Sequence, residues 1–111
     1  MKPKCNWPIG QNESLAFEVV RENRSWNEQP GIYIFAREIE SLKWNALYVG
    51  QTSNFAKRLP NHERLKEAVG HGATAIHARV IRSELERDRV EQALIERLNP
   101  QLNSIGRVPA G

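Results

Sequence analysis

A chain of 111 residues supports one domain with a single modest core and is too short for two. Hydrophobic residues at 40% and charged residues at 26% are ordinary for a globular protein, and no apolar run approaches the roughly 20 residues of a membrane span. The net charge of +3, from 16 Lys and Arg against 13 Asp and Glu, is compatible with a nucleic-acid partner without establishing one.

The opening segment has no signal-peptide core, and the one cysteine, Cys5, excludes an internal disulfide. The cytoplasm is therefore the expected compartment. Residues 1–29 read as a leader with one extra strand. Pro3, Pro8 and Gly10 punctuate an irregular stretch over residues 1–13, and the strand falls at Leu15 to Val20. Pro30-Gly31 introduces Ile32-Tyr33-Ile34-Phe35, a β-branched and aromatic run that predicts a strand. Glu38 to Asn45 reads as a polar hairpin loop, and Ala46 to Val49 as the returning strand.

Gly50 then turns the chain toward a helix that Asn54 caps and Phe55 begins. Pro60 cannot sit inside that helix, so a short helix ending near Leu59 and a second segment over Asn61 to Val69 are expected. Ala75 to Ile81 alternates like a further strand. The last helix is the clearest element. Ser83 and Glu86 form a capping-box pair, and Leu85, Val90, Ala93, Leu94 and Leu98 make one apolar stripe with Glu91 beside it. Its arginines, Arg87, Arg89 and Arg97, are interleaved with acids and read as solvated surface. Asn99-Pro100 stops this helix, and residues 105–111 read as a loose tail.

Gly31-Ile32-Tyr33, Tyr48-Val49-Gly50, Arg58, Glu91 and Asn103, in this order, resemble the GIY-YIG nuclease domain. The likeness covers residues 30–104. It implies an α/β (α+β) fold, a small mixed and mainly antiparallel sheet flanked by helices, with one active site that hydrolyses DNA phosphodiesters. It also implies one divalent cation, Mg²⁺ or Mn²⁺. Glu91 is the metal ligand in this scheme, since Mg²⁺ takes one or two carboxylates and fills its shell with water and phosphate oxygens. The alternative for Glu91 is a solvated helix glutamate. Arg58 would bind the scissile phosphate through its paired donors. Tyr33 and Tyr48 would orient or deprotonate the attacking water, unless they are simply core aromatics. A tyrosine base requires a nearby cation, because the free phenol ionises near pH 10.

His62 follows Arg58 at the offset where homing members of the family carry a histidine, and it could take the water's proton. A helix-surface histidine is the competing assignment. Asn103 would be a hydrogen-bonding anchor that closes the site. Gln51, Lys57, Arg58, Arg64 and Trp44 are the candidate nucleic-acid contacts, with Trp44 as a stacking platform for unpaired bases and Phe55 in support. The alternative for Trp44 is a loop residue folded back onto the core.

Two departures stand out: the second triplet reads YVG, and Gln51 occupies the place where repair members carry a lysine. No attached domain accompanies the nuclease segment, so specificity is expected from the core itself or from a protein partner. The leading expectation is a metal-dependent DNA endonuclease that prefers single-stranded or locally opened DNA. The alternative is a non-catalytic nucleic-acid-binding module that keeps the fold.

Overall fold

The computed structural model describes residues 2–22 and 24–104; the tail at residues 105–111 lies outside them. Five strands form one sheet: β1 (Lys4–Pro8), β2 (Ser14–Val20), β3 (Gly31–Glu40), β4 (Lys43–Thr52) and β5 (Ala75–Val80). Their spatial order is β1-β2-β5-β3-β4, and the sheet is antiparallel at every pairing. Four helices flank it: α1 (Phe55–Arg58), α2 (Glu63–Gly70), α3 (Glu84–Leu98) and α4 (Gln101–Ser104), with a 3-10 turn at Leu59–Asn61.

Alternation along β3 builds two cores. Ile32, Ile34 and Ala36 face one side, where Val49, Trp7, Phe17 and the α3 residues Val90 and Leu94 join them. Tyr33 and Phe35 face the other, against Phe55, Leu59, Ala68 of α2 and Leu102 of α4. Residues 31–36 are consequently all buried, which explains their unbroken apolar character.

Three expectations are corrected. The leader is not irregular, because Lys4–Pro8 pairs with Ser14–Glu18 and buries Trp7. Pro3 lies just before this edge strand and Pro8 ends it, positions at which proline is tolerated. The hairpin loop at Glu38 to Asn45 is also mostly strand. Its charges are cross-strand and neighbouring ion pairs, Lys43 with Glu40 and Arg21 with Glu38, and only Ser41 and Leu42 make the turn. Leu85, assigned to the apolar stripe of α3, is 82% exposed, while Arg87 on the same helix is buried.

Pro60 acts as expected: α1 ends at Arg58, Pro60 lies in the 3-10 turn, and the chain restarts as α2. Asn99 takes a left-handed conformation (φ 44°) and its N–H donates to the Ile95 carbonyl at 2.9 Å. This stop swings the chain back so that α4 returns to β4.

Candidate active site

Tyr33 and Gly50 are cross-strand partners, and a Cβ at Gly50 would lie 2.5 Å from Cζ and Oη of Tyr33. The glycine of the second triplet is therefore the floor on which the tyrosine of the first lies. Gly31 is constrained as tightly, since a Cβ there would sit 2.1 Å from the Arg79 carbonyl oxygen on β5.

The Tyr33 hydroxyl is 2.7 Å from His62 Nε2. Around that contact the rings of Tyr33, Phe35 and Tyr48 surround the imidazole at 5.3, 5.0 and 5.3 Å between centroids. Burial is the main force pushing both phenols up from their ordinary pKa, with the Arg58 guanidinium opposing it. Arg58 thus acts at both tyrosines, from the last residue of α1. In this structure it is held by Glu63 through two hydrogen bonds of 3.0 Å, and Glu63 is thereby brought down to about 2.

Glu91 approaches from α3. Its charge reaches Tyr33 and Tyr48. Its Oε1 accepts from Gln51 Nε2 at 3.0 Å, and the same amide nitrogen donates to Asp88 Oδ1 at 2.6 Å. Gln51 Oε1 accepts in turn from Arg87 Nε at 3.4 Å, while Arg87 Nη1 donates to the carbonyls of Ile81 and Arg82 at 3.1 and 2.9 Å. The amide is oriented without ambiguity, because its nitrogen faces two carboxylates and its oxygen faces a guanidinium. Asn103 completes the site from α4: its Oδ1 accepts from the Val49 N–H and its Nδ2 donates to the Val49 carbonyl, both at 2.8 Å.

The Tyr33, Tyr48, Arg58, His62, Glu91 and Asn103 positions predicted from sequence thus gather around the end of β4 that runs from Tyr48 to Gln51. Lys57, Arg58 and Arg64 line the adjoining stretch from α1 to α2, with Arg64 also paired to Glu67 at 3.0 Å.

The fold has solved counterparts. The GIY-YIG N-terminal endonuclease domain of UvrC from Thermotoga maritima, bound to its catalytic divalent cation magnesium, matches with a TM-score of 0.55 and 26% sequence identity. The match covers 68% of this chain and 84% of that one. A point mutant of that domain with asparagine replaced by alanine matches equally, at 0.55 and 26% over 68% and 83%. One with tyrosine replaced by phenylalanine matches at 0.55 and 25% over the same shares. The chain has a GIY-YIG fold. No protein-family model and no curated protein matches it.

Within this GIY-YIG fold, several residues stand differently from their sequence assignment. Trp44 is not a stacking platform on a loop. It lies in β4 on the sheet face opposite the tyrosines, packed between the Arg21 guanidinium at 4.9 Å and the His77 ring at 4.5 Å. Phe55 is buried. His62 is not a surface residue, since its ring is buried and its Nδ1 accepts from the Arg64 N–H at 3.0 Å. Gln51 is turned inward onto α3, so its amide is occupied by protein groups and not presented to a nucleic acid. Arg87 and Asp88 were missed by sequence reasoning. Their offsets of four and three residues before Glu91 on one helix were the available signal.

The donor set fits a hard divalent cation. Glu91 Oε2 takes no hydrogen bond from the described residues, so one carboxylate oxygen remains open. Among the described residues no group of three or more His, Cys, Asp or Glu could hold a metal ion.

Proposed function

We propose that this protein is a metal-dependent DNA endonuclease that hydrolyses phosphodiester bonds at the Tyr33–Glu91 site. The observation that carries the reading is the convergence of two tyrosines, Arg58 and a half-buried Glu91 in a fold shared with an endonuclease domain solved with a divalent cation. Residues 30–104 form the nuclease unit in this reading.

Each residue has a role that its surroundings support. Arg58 leaves Glu63 to pair with the scissile phosphate, whose developing charge its fork matches. Tyr33 and Tyr48 hold the attacking water by their hydroxyls, in a pocket whose burial keeps both as neutral phenols in the resting protein. Glu91 would hold the cation, Mg²⁺ or Mn²⁺, and the bound ion would neutralise charge at the phosphate and stabilise the leaving oxygen. Gln51, itself held by Arg87, fixes the Glu91 carboxylate from the side away from the reaction. Lys57 and Arg64 add sequence-independent attraction for the DNA backbone.

The preference for unpaired or locally opened DNA rests now on the domain's small surface alone, because Phe55 is buried and Trp44 packs, partly buried, against the core. A protein partner supplying sequence specificity belongs to the same proposal, as does a cytoplasmic setting, consistent with the single cysteine. Among the described residues no helix is long and apolar enough to cross a membrane.

The test is a digest of labelled single-stranded, duplex and branched DNA in Mg²⁺, in Mn²⁺ and in excess EDTA. Cation-dependent cutting is expected. DNA that is bound but uncut under every condition would leave a nucleic-acid-binding module in place of an enzyme.

A further inference from the structure

His62 sits where three elements meet. It is the N-cap of α2, its ring is buried at 4% exposure, and it is wedged among the aromatic rings of β3 and β4. Its two nitrogens are both engaged: Nδ1 lies 3.0 Å from the Arg64 backbone nitrogen and Nε2 lies 2.7 Å from Tyr33 Oη.

A backbone N–H can only donate, so Nδ1 must present its lone pair. The neutral ring then carries its hydrogen on Nε2, and the contact with Tyr33 has one sense: the histidine donates and the phenol oxygen accepts. The opposite tautomer would point N–H at N–H across the start of α2. A doubly protonated ring would do the same and would also place a cation among three aromatic rings, between Arg58 and Arg64.

We propose that His62 is a positioning residue, locked by the first turn of α2 as an Nε2–H donor that turns the Tyr33 hydroxyl hydrogen away from itself and toward the attacking water. This deepens the nuclease reading and rests on it. It also replaces the expectation that His62 takes the water's proton, since neither ring nitrogen has a lone pair to spare. The groups facing the ring are Tyr33 of β3, Tyr48 of β4, Arg58 of α1, and Glu63 and Arg64 of α2. Burial first, and then the Arg58 charge, bring the imidazole down to about 4, so it stays neutral through the physiological range.

The helix cap and the catalytic hydroxyl therefore share one side chain. An ordinary capping residue could serve α2 equally well but could not span the distance to Tyr33. That difference separates the two roles experimentally. Asparagine is among the preferred capping residues, so His62→Asn keeps an acceptor for the Arg64 N–H while removing the donor to Tyr33.

The decisive measurement is ¹⁵N NMR of the imidazole in the labelled full chain between pH 7.5 and 5, without DNA. A neutral ring protonated at Nε2 throughout is expected. The second arm is single-turnover cleavage by wild type and His62→Asn, each with its melting temperature. We expect the variant to melt within a few degrees of wild type, to keep its DNA affinity, and to lose roughly 10- to 100-fold in rate. An Nδ1-protonated ring, a ring that titrates at its ordinary value, or a variant that cuts at the wild-type rate would overturn the proposal. If the wild type cuts no DNA at all, the nuclease reading fails and the NMR result still decides the tautomer.

Discussion

Asn103 binds Val49 through both ends of its carboxamide, taking the N–H and giving to the C=O as a neighbouring strand would. β4 is an edge strand, and Val49 lies between Tyr48 and Gly50. One side chain thus satisfies an otherwise unpaired edge and pins α4 beside the candidate active site.

Asn103→Asp tests this. A carboxylate keeps the acceptor for the Val49 N–H but sets an anion against the Val49 carbonyl. Losing one hydrogen bond and leaving its partner unsatisfied costs about 1–3 kcal/mol. Chemical denaturation should show that loss, and cleavage should fall with it. A variant as stable as wild type would mean that the carboxamide contributes nothing to holding the edge.

Glu91→Gln should remove cleavage and leave the fold intact. The glutamine oxygen can still accept from Gln51, so the neighbouring network survives while the negative charge does not. We expect a rate lower by at least about 100-fold, in line with loss of a main electrostatic stabiliser, with no rescue by raised Mg²⁺ or Mn²⁺. Cutting at near wild-type rate would remove Glu91 from the metal site.

What the sequence made legible depended on whether the signal was local. The strand at Ile32 to Phe35, the cap at Asn54, the break at Pro60 and the stop at Asn99-Pro100 are each written in neighbouring residues, and the structure has them all. The spaced set of Tyr33, Tyr48, Arg58, Glu91 and Asn103 was legible as a resemblance. The direction in which a side chain faces was not. Trp44 looked exposed because its neighbours are polar, yet the register with Glu38 sends it to the core side, where Trp7 and His77 wait. Arg87 looked solvated because charge usually is, and nothing nearby in sequence revealed that the Ile81 and Arg82 carbonyls would receive it.

Arg58 is closed onto Glu63, so the anion it would meet in a substrate has a competitor. Glu63→Gln should free the guanidinium and tighten DNA binding several-fold at low salt, with the gain shrinking as salt rises. Arg58→Ala should instead lose mainly rate, by about 2–4 kcal/mol of transition-state stabilisation. Filter binding and single-turnover kinetics separate the two effects. Equal affinity in Glu63→Gln and wild type would show that the ion pair opposes nothing.

Acid should unfold the protein earlier than its carboxylates alone would require. His77 is fully buried, with Nδ1 accepting from the Trp7 indole N–H at 2.9 Å. Its Nε2 has no hydrogen-bond partner, and the ring stands nearly perpendicular to that of Trp44 at 4.5 Å between centroids. Burial first, and then Arg21, lower this histidine to about 4, and His62 is lowered equally. In the unfolded chain both return to about 6.5. Between those limits the unfolded state binds more protons, so stability rises with pH across the window. It is fully present above pH 6.5 and is lost as pH falls toward 4, by on the order of 2–3 kcal/mol for each ring. Below that, protonation of Glu63 adds to the loss in the same direction. Urea unfolding at pH 7 and pH 4.5 measures the slope, and His77→Phe should remove close to half of it while losing the Trp7 contact at every pH. A pH-independent midpoint from 7 to 4.5 would mean that neither ring is held neutral by the fold.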